Sequence, residues 1–374
     1  MSITKDYRRH GANVVGLSRL TRYLLREVML AWAAVTVVLV VVLLTNRLVQ
    51  FMADAARGDI PPDVIFLMLG LKAAANLSVV LPGSFFLGVV LALGRLYRDS
   101  EMSAMAGCGV SPFHVYRGIF ALAIPLAIGV GVLALSVGPA AERQSDVVRA
   151  NAQQEARFMG LQAGQFTRLG PEATVYVAKV DESGAMDTIF AERDTPDGRE
   201  ILLADTGRRV IDGLGSGEFL VVQEGFRYRG VPGEGAWEVM RYAEHGVRIS
   251  EPSPVQVGVG RDAIPLQALL LDRSLVHNAE LQWRLSLPFM IVVLALTALP
   301  LAKTDPRSGR YGRLVVAIIL FMIYFNLLYV AQDWMIAGTT PAWLGLYWVH
   351  VVGIGLALLF LQRRFQVTRQ RAIH

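Results

Sequence analysis

Cysteine is nearly absent: Cys108 is the single one in 374 residues. That excludes an intrachain disulfide, and with it a small disulfide-stapled secreted fold. Charge is scarce as well. Only 18% of residues are Asp, Glu, Lys or Arg, against about 25% in soluble domains, so a wholly soluble enzyme is excluded. The 53% hydrophobic content excludes a disordered chain. Common enzyme chemistry is missing too. The four lysines, Lys5, Lys72, Lys179 and Lys303, never follow a glycine, so no G-x-x-x-x-G-K-[ST] phosphate loop exists. The six histidines form no metal-ligand spacing, and no G-x-S-x-G turn occurs. The apolar spans offer Lys72 and His350 rather than a catalytic pair. The chain therefore reads as non-enzymatic, with no metal or cofactor of its own. If it drives transport, the energy comes from a partner or an ion gradient.

The charge that is present is unevenly spread. Residues 139–284 hold 38 of the 67 charged side chains with a net charge of −6, leaving +11 on the rest. One soluble domain is thus set inside a membrane protein. The basic residues lie beside hydrophobic spans rather than on one soluble face, which is not a nucleic-acid footprint. A bilayer core of about 30 Å needs roughly 20 apolar residues as helix. Residues 29–44 are apolar except for Thr36 and run on to Phe51 with Arg47 as the one charge. Residues 64–93 carry only Lys72, and 119–137, 285–302, 314–332 and 342–362 carry no Asp, Glu, Lys or Arg. Six spans are expected, three on each side of the soluble domain.

Lys and Arg alternate between the loops. Lys5, Arg8, Arg9, Arg19, Arg22 and Arg26 precede the first span, whereas the first loop has only Arg57 against Asp54, Asp59 and Asp63. Arg95, Arg98 and Arg117 follow the second span; Lys303, Arg307, Arg310 and Arg313 the fourth; Arg363, Arg364, Arg369 and Arg371 the last. Both termini are accordingly expected in the cytoplasm and 139–284 on the opposite side. Ala53-Asp54-Ala55 has the form of a signal-peptidase site, but the apolar run before it is long and broken by Asn46-Arg47, so cleavage is not expected.

From 139 to about 165 the sequence is polar with helical spacing, so the third span should continue beyond the bilayer as a stalk. The period then shortens. Residues 174–180, 186–193, 201–205, 208–212, 218–223, 226–229, 237–242 and 247–249 are β-rich and separated by Gly, Asp and Pro. Many short strands at near-regular spacing point to a sandwich or jelly roll over about 166–265. Such a sheet usually has open edges, which can accept another chain's strand. The expected organisation is a disordered leader, 1–16; three spans, 17–138; the soluble domain, 139–284; three more spans, 285–364; and a tail, 365–374.

Several polar residues stand out. In the second cytoplasmic loop Asp99 or Ser100 can cap a short helix ending at Gly107 or Gly109. Such a helix, about 99–109, with the carboxylate of Glu101 forward, suits docking into a groove on a cytoplasmic ATPase; a solvated turn is the alternative. Arg47 and Lys72 sit within spans, where a charge costs about 2.5–3.5 kcal/mol at mid-bilayer. Each either snorkels to the interface or meets an anionic headgroup. Asn326 and Gln332 are expected to bond between helices. Trp283, Trp334, Trp343 and Trp348 are expected in interface belts.

The loop LGRLYRDSEMSAMAGCGVS (93–111) resembles the signature loop of the YjgP/YjgQ permeases, the LptF and LptG subunits of the lipopolysaccharide exporter. So do RYLLREV (22–28), AARGDIPPD (55–63), LPGSFFLG (81–88), AELQWRLSLP (279–288) and LPLAKTDPRSGR (299–310). The form Leu-Tyr-x-Asp-Ser-Glu-Met, followed by Cys-Gly-Val-Ser, is closer to the LptF branch than to the LptG branch. The resemblance implies an inner-membrane protein of a Gram-negative bacterium with three spans, a periplasmic β-jellyroll and three spans. It implies a partner permease (LptG), an LptB ATPase dimer that binds the ATP, an attached LptC, and lipopolysaccharide as cargo. Arg98, Asp99, Ser100, Glu101 and Met102 would then belong to the coupling helix seated on the ATPase, and Arg47 would lie near the lipid headgroup. Gln50 falls where some relatives carry a second basic residue and Lys72 where others are uncharged, so Gln50 and Lys72 complete the expected lipid-binding set. Two other classes are a periplasmic scaffold that moves nothing and an ion-coupled transporter. The latter would call for inverted repeats and mid-membrane ionisable groups, and neither is found.

Overall fold

The computed structural model describes residues 19–159, 164–168, 173–181, 185–195, 198–211, 218–250, 260–272, 274–303 and 312–371. The leader 1–16, Arg307 and Arg310, and the glycine-rich turn 213–217 lie outside the described residues. The chain divides into two compact units: Met1–Val42, Ala74–Pro139 and Pro265–His374 form one, Leu43–Ala73 and Ala140–Ile264 the other.

Nine α-helices are described: α1 (Arg19–Ala56), α2 (Ile65–Arg98), α3 (Glu101–Gly107), α4 (Pro112–Val132), α5 (Gly138–Met159), α6 (Leu266–Leu271), α7 (Leu275–Ala302), α8 (Gly312–Ile336) and α9 (Tyr347–Arg371). Among the described residues, five helical segments are long and apolar enough to cross a membrane, and a shorter apolar helix runs through Tyr347–Arg363. Proline interrupts α2 at Pro82, α4 at Pro125 and α7 at Pro288 and Pro300. Inside packed membrane helices, neighbouring groups re-satisfy the carbonyls that proline frees. A π-helical turn, Leu133–Val137, joins α4 to α5 without a break, so the third apolar helix does continue as a polar stalk, to Met159.

In the first unit α7 is the central helix, packing against α4, α8 and α9. Met290, Ile291, Leu294 and Ala298 on α7 join Phe85, Phe86 and Leu93 of α2 in one apolar core. The most apolar stretch of α7 is 72% buried, that of α1 only 6% and that of α8 22%. Trp283, expected in an interface belt, instead lies in this core, 4.4 Å from the ring of Tyr329. Trp334 and Trp343 are exposed.

The second unit carries six antiparallel strands: β1 (Phe166–Arg168), β2 (Ala173–Val180), β3 (Met186–Thr195), β4 (Gly198–Ile211), β5 (Glu218–Gly230) and β6 (Trp237–Ser250). They pair in chain order as one sheet. Three of them each fuse two of the expected short strands. Gly207, Gly225 and Gly246, which fall in the gaps between those expected short strands, stand within paired strands, a position glycine tolerates where a neighbouring strand approaches closely. Alternation places Val175, Val177, Ile189, Leu202, Ala204 and Val222 in a buried cluster. On the opposite face one register row crosses all six strands: Phe166, Tyr176, Phe190, Leu203, Phe226 and Arg241. Arg241 caps the row, its guanidinium carbon 5.8 Å from the Phe226 ring.

Candidate functional site

The short loop helix exists and is narrower than expected. α3 spans Glu101–Gly107, with Arg98 ending α2 and Asp99 and Ser100 in the connection. Ser100 is the N-terminal cap residue, but its side chain makes no capping bond. It adopts a left-handed φ of 62°, turning the chain sharply from α2 into α3. The helix ends as the glycine signal suggested. Gly109 has φ 83°, its N–H bonds to Ala106 at 3.0 Å, and the Val110 N–H bonds to Met105 at 3.0 Å, the Schellman pattern.

The five residues of this candidate docking set divide by environment. Met102 is buried in the core beside Val115 and Ile119, and so anchors α3 instead of facing outward. Arg98 Nε lies 3.2 Å from Asp99 Oδ1, and Arg95 Nε lies 3.5 Å from Asp99 Oδ2. Oε2 of Glu101 accepts a 2.6 Å hydrogen bond from the Tyr23 hydroxyl of α1. Arg95 also pairs with Glu27 of α1 at 2.9 Å.

The second candidate set lies in the other unit, where α1 and α2 contribute 43–73. The structure joins two of its three residues: Arg47 Nη1 donates a 3.1 Å hydrogen bond to Gln50 Oε1. Lys72 is placed elsewhere. Its ammonium pairs with Glu142 of α5 and lies 4.0 Å from Asp146, and the side chain is only 15% exposed. Its charge is thus compensated within the unit. Among the described residues Arg47 has a neutral amide as its side-chain partner, so its positive charge is the less compensated of the two. Nearby, Asp54 holds both Arg57 and Arg149, and Phe51, Ile60, Ile65, Met68 and Ala152 form a small apolar cluster.

A buried polar network was missed in the sequence. Expecting the fourth span to begin at 285 left Glu280 and Arg284 outside it, yet both are buried in α7 and pair at 2.7 Å. Gln332 of α8 donates to Glu280 at 3.2 Å, which is the helix-to-helix bond expected of it. Asn326 instead bonds its own helix, at Met322 O. A second chain links the Tyr324 hydroxyl to His350 Nδ1 at 2.6 Å, and His350 Nε2 to Ser286 Oγ at 3.0 Å. It ties α7, α8 and α9 together. The available signal was a Glu and an Arg four residues apart directly ahead of an apolar run.

A family model described as "Lipopolysaccharide export system permease LptF/LptG" matches residues 22–363. The lipopolysaccharide export system permease protein LptF of Escherichia coli (strain K12) is 28% identical over 308 residues, covering 81% of this chain and 84% of its own. LptF of Shigella flexneri has the same identity and coverage. LptG of Haemophilus influenzae (strain ATCC 51907 / DSM 11121 / KW20 / Rd) is 25% identical over 176 residues, 46% of this chain and 48% of its own.

Proposed function

The chain belongs to the LptF/LptG family of lipopolysaccharide export permeases, and from that premise we propose how it works as a subunit of the exporter. It is a transporter subunit of the inner membrane and not an enzyme. One observation carries the reading: a single family match runs through the apolar helices, the antiparallel sheet and the apolar helices that follow, residues 22–363. The similarity to LptF over 81% of the chain, against 46% for LptG, favours the LptF position.

Six helices span the membrane, with both termini in the cytoplasm, as the Lys and Arg distribution favours. The segment 139–284 is periplasmic, and its strands roll into a jelly roll that continues toward a periplasmic bridge. LptG is the second permease. The uncovered apolar faces of α1 and α8 support them as the surfaces that meet it and line the cavity between the two. An LptB dimer binds and hydrolyses the ATP, and LptC attaches to the complex.

In the cycle, lipopolysaccharide enters from the outer leaflet and its anionic headgroup region is held by Arg47, with Gln50 fixing the guanidinium. Lys72, held apart from Arg47 in its pair with Glu142, is a secondary contact whose charge an anionic group can share. Arg98, Asp99, Ser100 and Glu101 face the ATPase while Met102 roots the helix in the core. Closing of the ATP-bound dimer pushes α3 and, through α2 and α4, narrows the cavity and expels the lipid upward. Flow is one-way because the collapse removes the binding site.

The test is purification of tagged chain in mild detergent, with identification of co-purifying proteins and lipids. A complex with a second permease and an ATPase, carrying lipopolysaccharide, is expected. Chain recovered without ATPase or glycolipid under several extraction conditions would favour a scaffold instead.

A further inference from the structure

We propose that Tyr23 and Glu27 link the Arg19 end of α1 directly to the docking helix, so that displacement of α3 moves α1 as well as the flanking helices α2 and α4. The proposal rests on the reading of α3 as the ATPase-docking element. Two polar contacts carry it. Tyr23 and Glu27 stand one turn apart, on one face of α1. The first reaches Glu101 at 2.6 Å and the second reaches Arg95 at 2.9 Å. Arg95 continues to Asp99 at 3.5 Å, which makes a charge chain from α1 through the last turn of α2 to the residue pair that precedes α3.

The apolar contacts of the same helix end agree. Leu24 and Val28 are buried in the core cluster that also holds Met102, Val115 and Ile119. The start of α1 is therefore seated by packing on one side and by polar bonds on the other. A little farther along, α1 and α2 approach so closely that a Cβ on Gly88 would lie 2.6 Å from Trp32 Cα. There Trp32 Nε1 and the Thr36 hydroxyl both donate to Ser84 Oγ, at 3.2 and 2.9 Å. Beyond Thr36 the residues Val37, Val38, Val41 and Val42 are more than half exposed.

A helix gripped near its Arg19 end and bare at Val37, Val38, Val41 and Val42 acts as a lever: what turns the gripped end moves the bare stretch. Tyr23 is then a positioning residue. It sets the direction of the Glu101 carboxylate from behind, and through that bond α1 follows any movement of α3. Glu27 gives the same grip a second attachment through Arg95, so neither contact alone carries the whole link.

The test uses the complex of this chain with its partner permease and ATPase, in proteoliposomes carrying lipopolysaccharide. Lipid released per ATP hydrolysed is compared for the unmodified chain, Y23F and E27Q. Y23F removes one exposed hydroxyl and E27Q one charge, so the fold should persist. Retained ATPase with lipid released per ATP lowered roughly threefold to tenfold is expected, the span for losing one ordinary net hydrogen bond. A purely structural role would lower yield and hydrolysis together and leave the ratio unchanged.

A second readout places spin labels at Val38→Cys on α1 and Met322→Cys on α8 in a Cys108→Ser background. The ATP-induced distance change of the parent should shrink by half or more when Y23F and E27Q are combined. An unchanged ratio and an unchanged distance response overturn the link. Loss of the ATPase from the Y23F complex alone also overturns it, by assigning Tyr23 to docking. An unmodified chain that never retains an ATPase overturns the docking reading itself, and the link with it.

Discussion

Gln332 of α8 donates a 3.2 Å hydrogen bond to Oε2 of Glu280 on α7. The other carboxylate oxygen takes one from Arg284 Nε at 2.7 Å. Glu280 and Arg284 are 2% and 3% exposed, so neither charge has water to fall back on. Removing one partner strands the other, at a cost of about 3–5 kcal/mol, whereas replacing both by apolar residues of similar size costs far less. Arg284→Met is expected to lower the thermal stability of the detergent-solubilised protein sharply. Adding Glu280→Leu to it should recover part of the loss. A double variant less stable than Arg284→Met would contradict the pairing.

Lys72 gives a second charge test, because its partners sit on a different helix. Lys72→Glu places a third acid beside Glu142 and Asp146 and should destabilise the protein; Lys72→Glu with Glu142→Lys restores an opposite pair and should regain much of the stability. With its charge already compensated, Lys72→Met is expected to reduce bound lipopolysaccharide less than Arg47→Ala does. Thermal unfolding and lipid quantification on the same preparations check both statements.

In the sheet, the Tyr242 hydroxyl donates a 2.6 Å hydrogen bond to the Leu203 carbonyl, two strands away. Burial pushes its phenol from 10.0 up to about 12. The folded state thus binds this proton more tightly than the unfolded chain. The resulting stability is fully present below pH 10.0 and is lost as the pH rises from there through about 12. Ultraviolet titration of the tyrosinates should show one late-ionising phenol fewer in Tyr242→Phe than in the parent. That variant should also show a shallower alkaline loss of stability than the parent.

How far the sequence could be read follows from which force fixed each feature. The apolar helices and the polar stalk were legible because desolvation of the backbone leaves a long run of apolar residues one solution. The Gly109 end of α3 was legible because a left-handed residue favours glycine. Strand lengths were not: the β-rich runs break at Gly207, Gly225 and Gly246, and only cross-strand pairing carries the strands through them. The partners of Lys72 were also hidden, since Glu142 and Asp146 lie seventy or more residues away and only folding brings them to it. Trp283 misled for a related reason. Position along a span locates a tryptophan near an interface, but only the packing of α7 and α8 decides whether its ring faces lipid or core.

Arg47 carries the cargo prediction. Arg47→Ala removes the less compensated positive charge of the candidate set and should reduce co-purified lipopolysaccharide severalfold, as expected for losing a charge-assisted contact to an anionic headgroup. Gln50→Arg adds a second cation beside it and should increase retained lipid at low salt, with the gain shrinking as salt rises. Lipid content of the purified complex, measured across ionic strengths, decides the matter.

The central claim is that this chain passes lipopolysaccharide out of the membrane when an ATPase acts on α3. The most direct measurement reconstitutes the chain with its partner permease and ATPase in lipopolysaccharide-loaded vesicles and follows transfer of the lipid to a soluble jellyroll acceptor. Transfer is expected with ATP, absent with a non-hydrolysable analogue, and lost in Glu101→Ala although the variant protein remains folded. Transfer that proceeds equally without ATP, or at the normal rate in Glu101→Ala, would contradict it.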